Sequence, residues 1–193
     1  MRNAKIYFHY GAMGSSKTAN ALMVHFNYLE KNRKAILLKP AIECRDGKMI
    51  IKSRIGLSQK CETIENFLYD EIKYPLEEKM TYDAIIVDEC QFAKKEDINN
   101  FAKLADKYNI DIFFYGLRTD FKGELFEGSK RLMEIADEIR EVKTICWCGN
   151  KATHNARYNE NGIVLDGEQI QLGANDKYIS VCRKHYHEGK LFG

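Results

Sequence analysis

Residues 5–18 read KIYFHYGAMGSSKT: a strand-like apolar run, a glycine-punctuated loop, and a lysine–threonine pair that opens a helical segment. The order strand, loop, helix decides the fold. Such a loop gathers backbone N–H groups and the positive end of a helix around one point, where a phosphate is stabilised. The phosphate-loop pattern is G-x-x-x-x-G-K-[ST]. Gly11, Ala12, Met13, Gly14, Ser15, Ser16, Lys17 and Thr18 meet it except at Ser16, where the pattern has glycine. The change matters if that position needs a positive φ or has no room for a Cβ. Lys17 would place a point charge on the phosphates, and Thr18 would ligate a bridging Mg²⁺.

Working outward, the segment after the loop has helical character, with Leu22, Phe26 and Leu29 recurring at spacings of three and four. AILLKP (35–40), YDAIIVDE (82–89) and IDIFFYGL (110–117) are continuous apolar runs, as buried parallel strands are. Between them lie helical stretches, ENFLYDEIKYPLEEK ending near Pro75 and EDINNFAKLADKYN. SKRLMEIADEIREVK reads as a further helix or a helix–strand pair. Residues 41–60 form an exposed connection with a short strand at Met49 to Lys52, and RTDFKGELFEG is a polar loop bearing aromatics. This alternation predicts a parallel sheet with right-handed crossovers. At Thr144 the helical periodicity stops and glycine and asparagine become frequent. The expected architecture is α/β: a RecA-like P-loop domain over 1–143 and a small zinc-binding domain over 144–193.

With 193 residues, 45% of them hydrophobic, the chain can build a sizeable core. A formal net charge of +2 gives no basic excess for a polyanion, so no nucleic-acid partner is expected. The start MRNAKIYFHYG lacks a signal-peptide core and no apolar run is long enough to span a bilayer, so a cytoplasmic, membrane-free protein is expected. Cys44, Cys61 and Cys90 are scattered singly, whereas Cys146, Cys148 and Cys182 lie near His185. Reduced thiols with one metal site fit that distribution better than a disulfide framework.

YDAIIVDECQF carries the second phosphate-site element: an apolar strand that delivers Asp88 to Mg²⁺. Glu89 follows, placed to take the proton of an attacking hydroxyl, an effect of about 10²–10⁴ in rate. The letters D-E-C-Q also resemble the acidic motif of helicases, so an ATPase acting on nucleic acid is the rival reading. Cys146-x-Cys148 and Cys182-x-x-His185 supply three sulfurs and an imidazole for tetrahedral Zn²⁺, a closed structural site. His154 and His187 read as surface residues. The 33 residues between Cys148 and Cys182, pinned at their base by metal, read as a lid or substrate clamp.

VDECQF, LRTDFKGELF, TICWCGNKAT and GANDKYISVCRKHY together resemble the thymidine kinases of the zinc-containing type, from about Lys5 to Tyr186. The resemblance implies transfer of the γ-phosphate of Mg-ATP to the 5′-hydroxyl of thymidine, with Glu89 as general base. It places Arg45 and Gln91 with the ATP phosphates. Met13, Leu117, Phe121 and Phe126 would line the nucleobase pocket, with Phe121 stacking on thymine. Gln169, Ile170, Gln171, Leu172, Gly173 and Tyr178 would belong to a lasso-like substrate loop. It further implies feedback inhibition by thymidine triphosphate and a homotetramer. The departures are Ser16 for glycine, Cys44 where threonine is common, and a histidine among the zinc ligands where the animal enzymes use four cysteines.

Overall fold

Four consecutive β-branched or small apolar residues, Ala84–Val87, are all fully buried, and they sit at the centre of the molecule. The computed structural model describes residues 3–45, 47–73, 81–170 and 177–193. In chain order the first part comprises β1 (Ile6–Tyr10), α1 (Lys17–Glu30), β2 (Ala35–Lys39), β3 (Ile50–Lys52), β4 (Ser58–Lys60), β5 (Glu62–Thr63) and α2 (Ile64–Lys73). Then follow β6 (Ala84–Val87), a single 3-10 turn (Cys90–Phe92), α3 (Lys95–Tyr108), β7 (Asp111–Gly116), α4 (Glu127–Ile135) and β8 (Glu138–Glu141).

The central sheet has six strands in the order β5-β2-β6-β7-β1-β8, every pair parallel. All carboxyl ends therefore open on one rim, where α/β sheets gather ligand-binding loops. Side chains alternate across the sheet, as the two-residue period of a strand requires. Ile85 and Val87 join Phe8, Ile112 and Phe114 against Phe67, Phe101 and Leu132, while Ile86 faces Leu22, Leu37 and Tyr115. The ambiguous stretch after residue 128 resolves as a helix–strand pair, with β8 closing the sheet beside β1.

Helix α1 departs from its expected stripe. Its buried residues are Lys17, Ala19, Ala21, Leu22 and His25, whereas Phe26 and Leu29 are 58% and 43% exposed. Two alanines let the helix approach the sheet closely, which turns the larger residues outward beside Met23.

The C-terminal part contains β9 (Thr144–Ile145), β10 (Lys151–Ala152), β11 (His154–Asn159), β12 (Gly162–Val164), β13 (Lys177–Val181) and α5 (Arg183–His187). β9 and β10 form a hairpin, and β12-β11-β13 an antiparallel sheet. The interval between the ligand pairs, which the sequence reads as one long loop, contains the paired strands β10, β11, β12 and β13, and residues 171–176 lie outside the described residues. The apolar cluster of this part is small, built on Cys146, Ala152, Ala156, Val181, Cys182, Tyr186 and Leu191. Among the described residues no helix is long and apolar enough to cross a membrane.

Candidate active site

The loop from Gly11 to Ser16 joins the carboxyl end of β1 to α1. Gly11 is required sterically, because a Cβ there would lie 2.3 Å from the Val142 carbonyl and 2.5 Å from Ser15 Oγ. Ser16 answers the question its sequence raised: it is solvent-exposed, so its Cβ has room, but its φ of 62° is left-handed. The loop keeps the backbone geometry of the glycine pattern on a serine. Lys17 is buried, its Nζ donating to the Gly11 and Ala12 carbonyls at 3.0 and 2.9 Å and to Ser15 Oγ at 3.1 Å. Burial holds its ammonium below the ordinary lysine range, against the pull of Glu89 and Asp88.

β6 delivers Asp88 into the same space. Its backbone N–H donates to Leu38 at 2.9 Å, and the Thr18 hydroxyl donates to its carboxylate. Burial, then repulsion from Glu89, pushes the Asp88 carboxyl up to about 7. Thr18 and Asp88, hydroxyl beside carboxylate, form an all-oxygen pair of the kind that suits Mg²⁺.

Glu89 has a left-handed φ of 52° at the start of the 3-10 turn, a second strained non-glycine residue at the rim. Arg45 Nη2 donates to its Oε1 at 2.7 Å and Gln91 Nε2 to its Oε2 at 2.5 Å. Gln91 Oε1 accepts from Leu117 N at 3.0 Å, tying the turn to β7. Gly116 makes room for this, since a Cβ there would lie 2.6 Å from Cys90 Sγ and 2.7 Å from Gln91 Oε1. Arg45 and Gln91, expected at the phosphates, are thus engaged with the Glu89 carboxylate. Arg45 is anchored from behind by Glu43 at 2.6 Å, and Glu43 by the buried Lys39 at 3.3 Å. Burial alone would raise the Glu43 carboxyl, but Arg45 and Lys39 hold it below the usual carboxylate range. Arg54 lies near the loop; a Cβ on Gly14 would sit 3.7 Å from its Nη1.

The loop after β7 carries Leu117, Phe121 and Phe126. Phe121 is 2% exposed, with the Arg157 guanidinium 4.9 Å from its ring centre. Phe126 is also buried and meets Phe92 edge-on at 6.0 Å. Asp120 Oδ1 closes the loop by accepting from Lys122 and Glu124 N–H groups at 2.8 and 2.9 Å. Gln169 reaches the same residue, Nε2 to Asp120 Oδ2 at 2.9 Å, while Ile170 and Tyr178 are exposed. Gln171, Leu172 and Gly173 lie outside the described residues.

Cys146, Cys148, Cys182 and His185 converge, their ligand atoms all within 4.8 Å of one another. Cys146 Sγ is 3.4 Å from His185 Nδ1 and Cys148 Sγ is 4.0 Å from Cys182 Sγ. Donors at about 2.0–2.3 Å from one tetrahedral ion are spaced in this way, so the cluster is compatible with Zn²⁺. Asn150 hydrogen-bonds to Cys148 and holds its thiol below the ordinary range, and Trp147 stacks on His185 at 4.2 Å. His154 and His187 lie outside the cluster.

Four residues escape the sequence reading as connectors: Asn155, Tyr186, Lys39 and Glu43 are buried groups with polar atoms, and no ligand spacing marks them in the sequence.

The thymidine kinase family model matches residues 4–186. A thymidine kinase of Mannheimia succiniciproducens is 44% identical across 97% of this chain and 98% of its own length. Thymidine kinases of Pasteurella multocida and Vibrio parahaemolyticus are 44% and 43% identical, each across 96% of this chain. With a phosphate loop, an acidic turn and a Cys₃His cluster on a parallel α/β frame, the chain belongs to the thymidine kinase family.

Proposed function

We propose that this protein transfers the γ-phosphate of Mg-ATP to the 5′-hydroxyl of thymidine, yielding thymidine monophosphate. The observation that carries this reading is the meeting of three groups on one sheet rim. These are the Gly11–Thr18 loop, the buried Asp88 beside Thr18, and Glu89, linked through Gln91 to Leu117 at the start of the loop after β7.

Phosphoryl transfer asks the protein for positioning and charge stabilisation more than for covalent chemistry. The loop amides and Lys17 bind the phosphates. Thr18 and Asp88 would hold Mg²⁺, which when bound neutralises charge on the phosphate oxygens. Glu89 takes the proton of the 5′-hydroxyl. Arg45 and Gln91 keep its carboxylate aimed, and Arg54, beside Gly14, is a cation that can approach the phosphates. Met13, Leu117, Phe121 and Phe126 shape the nucleobase side, and Gln169, which reaches Asp120 in the loop after β7, belongs with Tyr178 to the substrate loop that excludes water and so spares ATP. Cys146, Cys148, Cys182 and His185 would hold Zn²⁺, which supplies folding free energy to residues 144–193. The outward stripe of Met23, Phe26 and Leu29 supports assembly as a homotetramer, and thymidine triphosphate would act as feedback inhibitor.

The test is transfer of labelled γ-phosphate to a panel of nucleosides, with Glu89→Gln beside the parental enzyme. Thymidine labelling that drops by about 10²–10⁴ in the variant is expected. ATP hydrolysis without nucleoside labelling, stimulated by DNA, would replace the kinase with the ATPase.

A further inference from the structure

Asn155 sits on β11, in the part of the chain that carries the Cys₃His cluster, yet both its polar atoms act elsewhere. Oδ1 accepts from Met13 N in the phosphate loop at 2.8 Å. Nδ2 donates to the Thr119 carbonyl, in the loop after β7, at 3.1 Å. The side chain is buried, 4% exposed, and backbone pairing with Ser180 on β13 fixes its height. Only one orientation of the amide satisfies an N–H on one side and a carbonyl on the other, so these partners also settle which atom is oxygen. The loop after β7 has other tethers to the C-terminal part, Gln169 on Asp120 and Tyr186 OH on the Phe121 carbonyl at 2.5 Å. Asn155 differs from them because it also grips the phosphate loop.

We propose that Asn155 is a positioning residue that sets the phosphate loop and the acceptor loop at a fixed separation, so that donor and acceptor sites align as one unit. The inference rests on the kinase reading and deepens it. Met13 N, held by Asn155, is kept from turning toward the phosphates. Thr119 is two residues before Phe121, so its carbonyl fixes the root of the nucleobase wall. Losing the bridge frees the two loops beyond the point where β1 and β7 hold them, marked by the Gly11 N–H on the Gly116 carbonyl at 3.3 Å. Catalysis suffers because misplacement of reacting groups by about 1 Å is costly.

Two variants test this, each compared with the parental enzyme per titrated active site. Asn155→Leu keeps the approximate volume and removes both bonds. It is expected to raise KM for thymidine and for ATP together and to lower kcat, with kcat/KM falling about tenfold or more. Asn155→Asp keeps the shape. As a carboxylate it accepts from Met13 N but repels the Thr119 carbonyl, and only the protonated acid both accepts and donates. Its activity relative to the parent is therefore expected to climb as pH falls from about 8.5 to about 6, while the leucine variant stays at a constant fraction. The charged groups sharing the small cavity around residue 155 are Arg118 and Glu141, present in every variant, so taking the ratio removes their titration. A leucine variant with both KM values within about twofold of the parent, lowered only in active fraction or melting temperature, would overturn the proposal. So would an aspartate variant whose relative activity is flat with pH. Thymidine turnover by the parent tests the kinase reading separately, before any variant is compared.

Discussion

Ser16 is the natural place to perturb this fold, because its cost can be worked from one dihedral. At φ 62° and ψ 23° it is left-handed, and its side chain makes no capping hydrogen bond to α1. An L-residue there gives up about 1–2 kcal/mol relative to right-handed backbone. Ser16→Gly recovers that strain and loses no side-chain contact. Glycine's larger freedom in the unfolded chain takes back about 0.4–1 kcal/mol. The net gain expected is about 0.5–1 kcal/mol, or about 1–4 °C in Tm for a chain of this size. Ser16→Val should move the other way by a similar amount, since a β-branched residue fits the left-handed region worst. The assay is calorimetric unfolding of both variants without nucleotide or nucleoside, which would add binding free energy. A glycine variant no more stable than its parent, or a valine variant that is, would refute the reasoning. The serine would then have to be held by something other than conformational strain.

Gly116→Ala should displace the 3-10 turn, costing about 1–3 kcal/mol in urea unfolding and lowering kcat, because the added Cβ would crowd Cys90 and Gln91 behind Glu89. Cys182→Ser should abolish bound zinc, about one ion per chain in the parent by metal analysis, and melt the C-terminal part, whose own apolar cluster is small. His9 and His25 both sit below the ordinary histidine range, chiefly through burial. Their unfolded forms take up protons that the folded forms refuse, so their contribution to stability should fall as pH drops from about 7 toward 5, against the opposite contribution of Asp88, whose raised carboxyl takes up a proton in the folded state over the same range. His9→Phe, which keeps the stacking surface against Tyr115, should flatten part of that fall in pH-dependent melting.

How much of this was legible depended on whether a residue's role is local. The 84–87 run ends in two carboxylates, and its burial on both faces follows from its composition. The strand–loop–helix order of residues 5–18 could be read because its pattern lies in consecutive residues. The Cys₃His cluster could be read because each half has ligand spacing. Roles that depend on who is across the gap were not legible. HNARYN on β11 gives no sign that Asn155 reaches two loops, each distant in sequence. Nothing in the sequence around Arg45 shows that Glu43 and Glu89 flank it on either side. Phe26 and Leu29 read as core because their spacing is helical, and only the close seat of Ala19 and Ala21 turns them out. The interval between the zinc ligand pairs read as loop because its strands are short and polar.

The strand order has one more consequence. β7 lies between β1, which ends in the phosphate loop, and β6, which ends in the acidic turn. Gly116 pairs with Tyr10 on one side while Phe114 pairs with Val87 on the other. The sheet therefore works as a ruler: the loop after β1 and the turn after β6 stand two strand spacings apart, about 10 Å, and the loop after β7 rises from the graduation between them. A single-residue slip of β7 would carry that loop along by about 3.3 Å and turn its side chains over. Substitutions in the loop after β7 leave this scale undisturbed, whereas the interior of β7 has no such latitude.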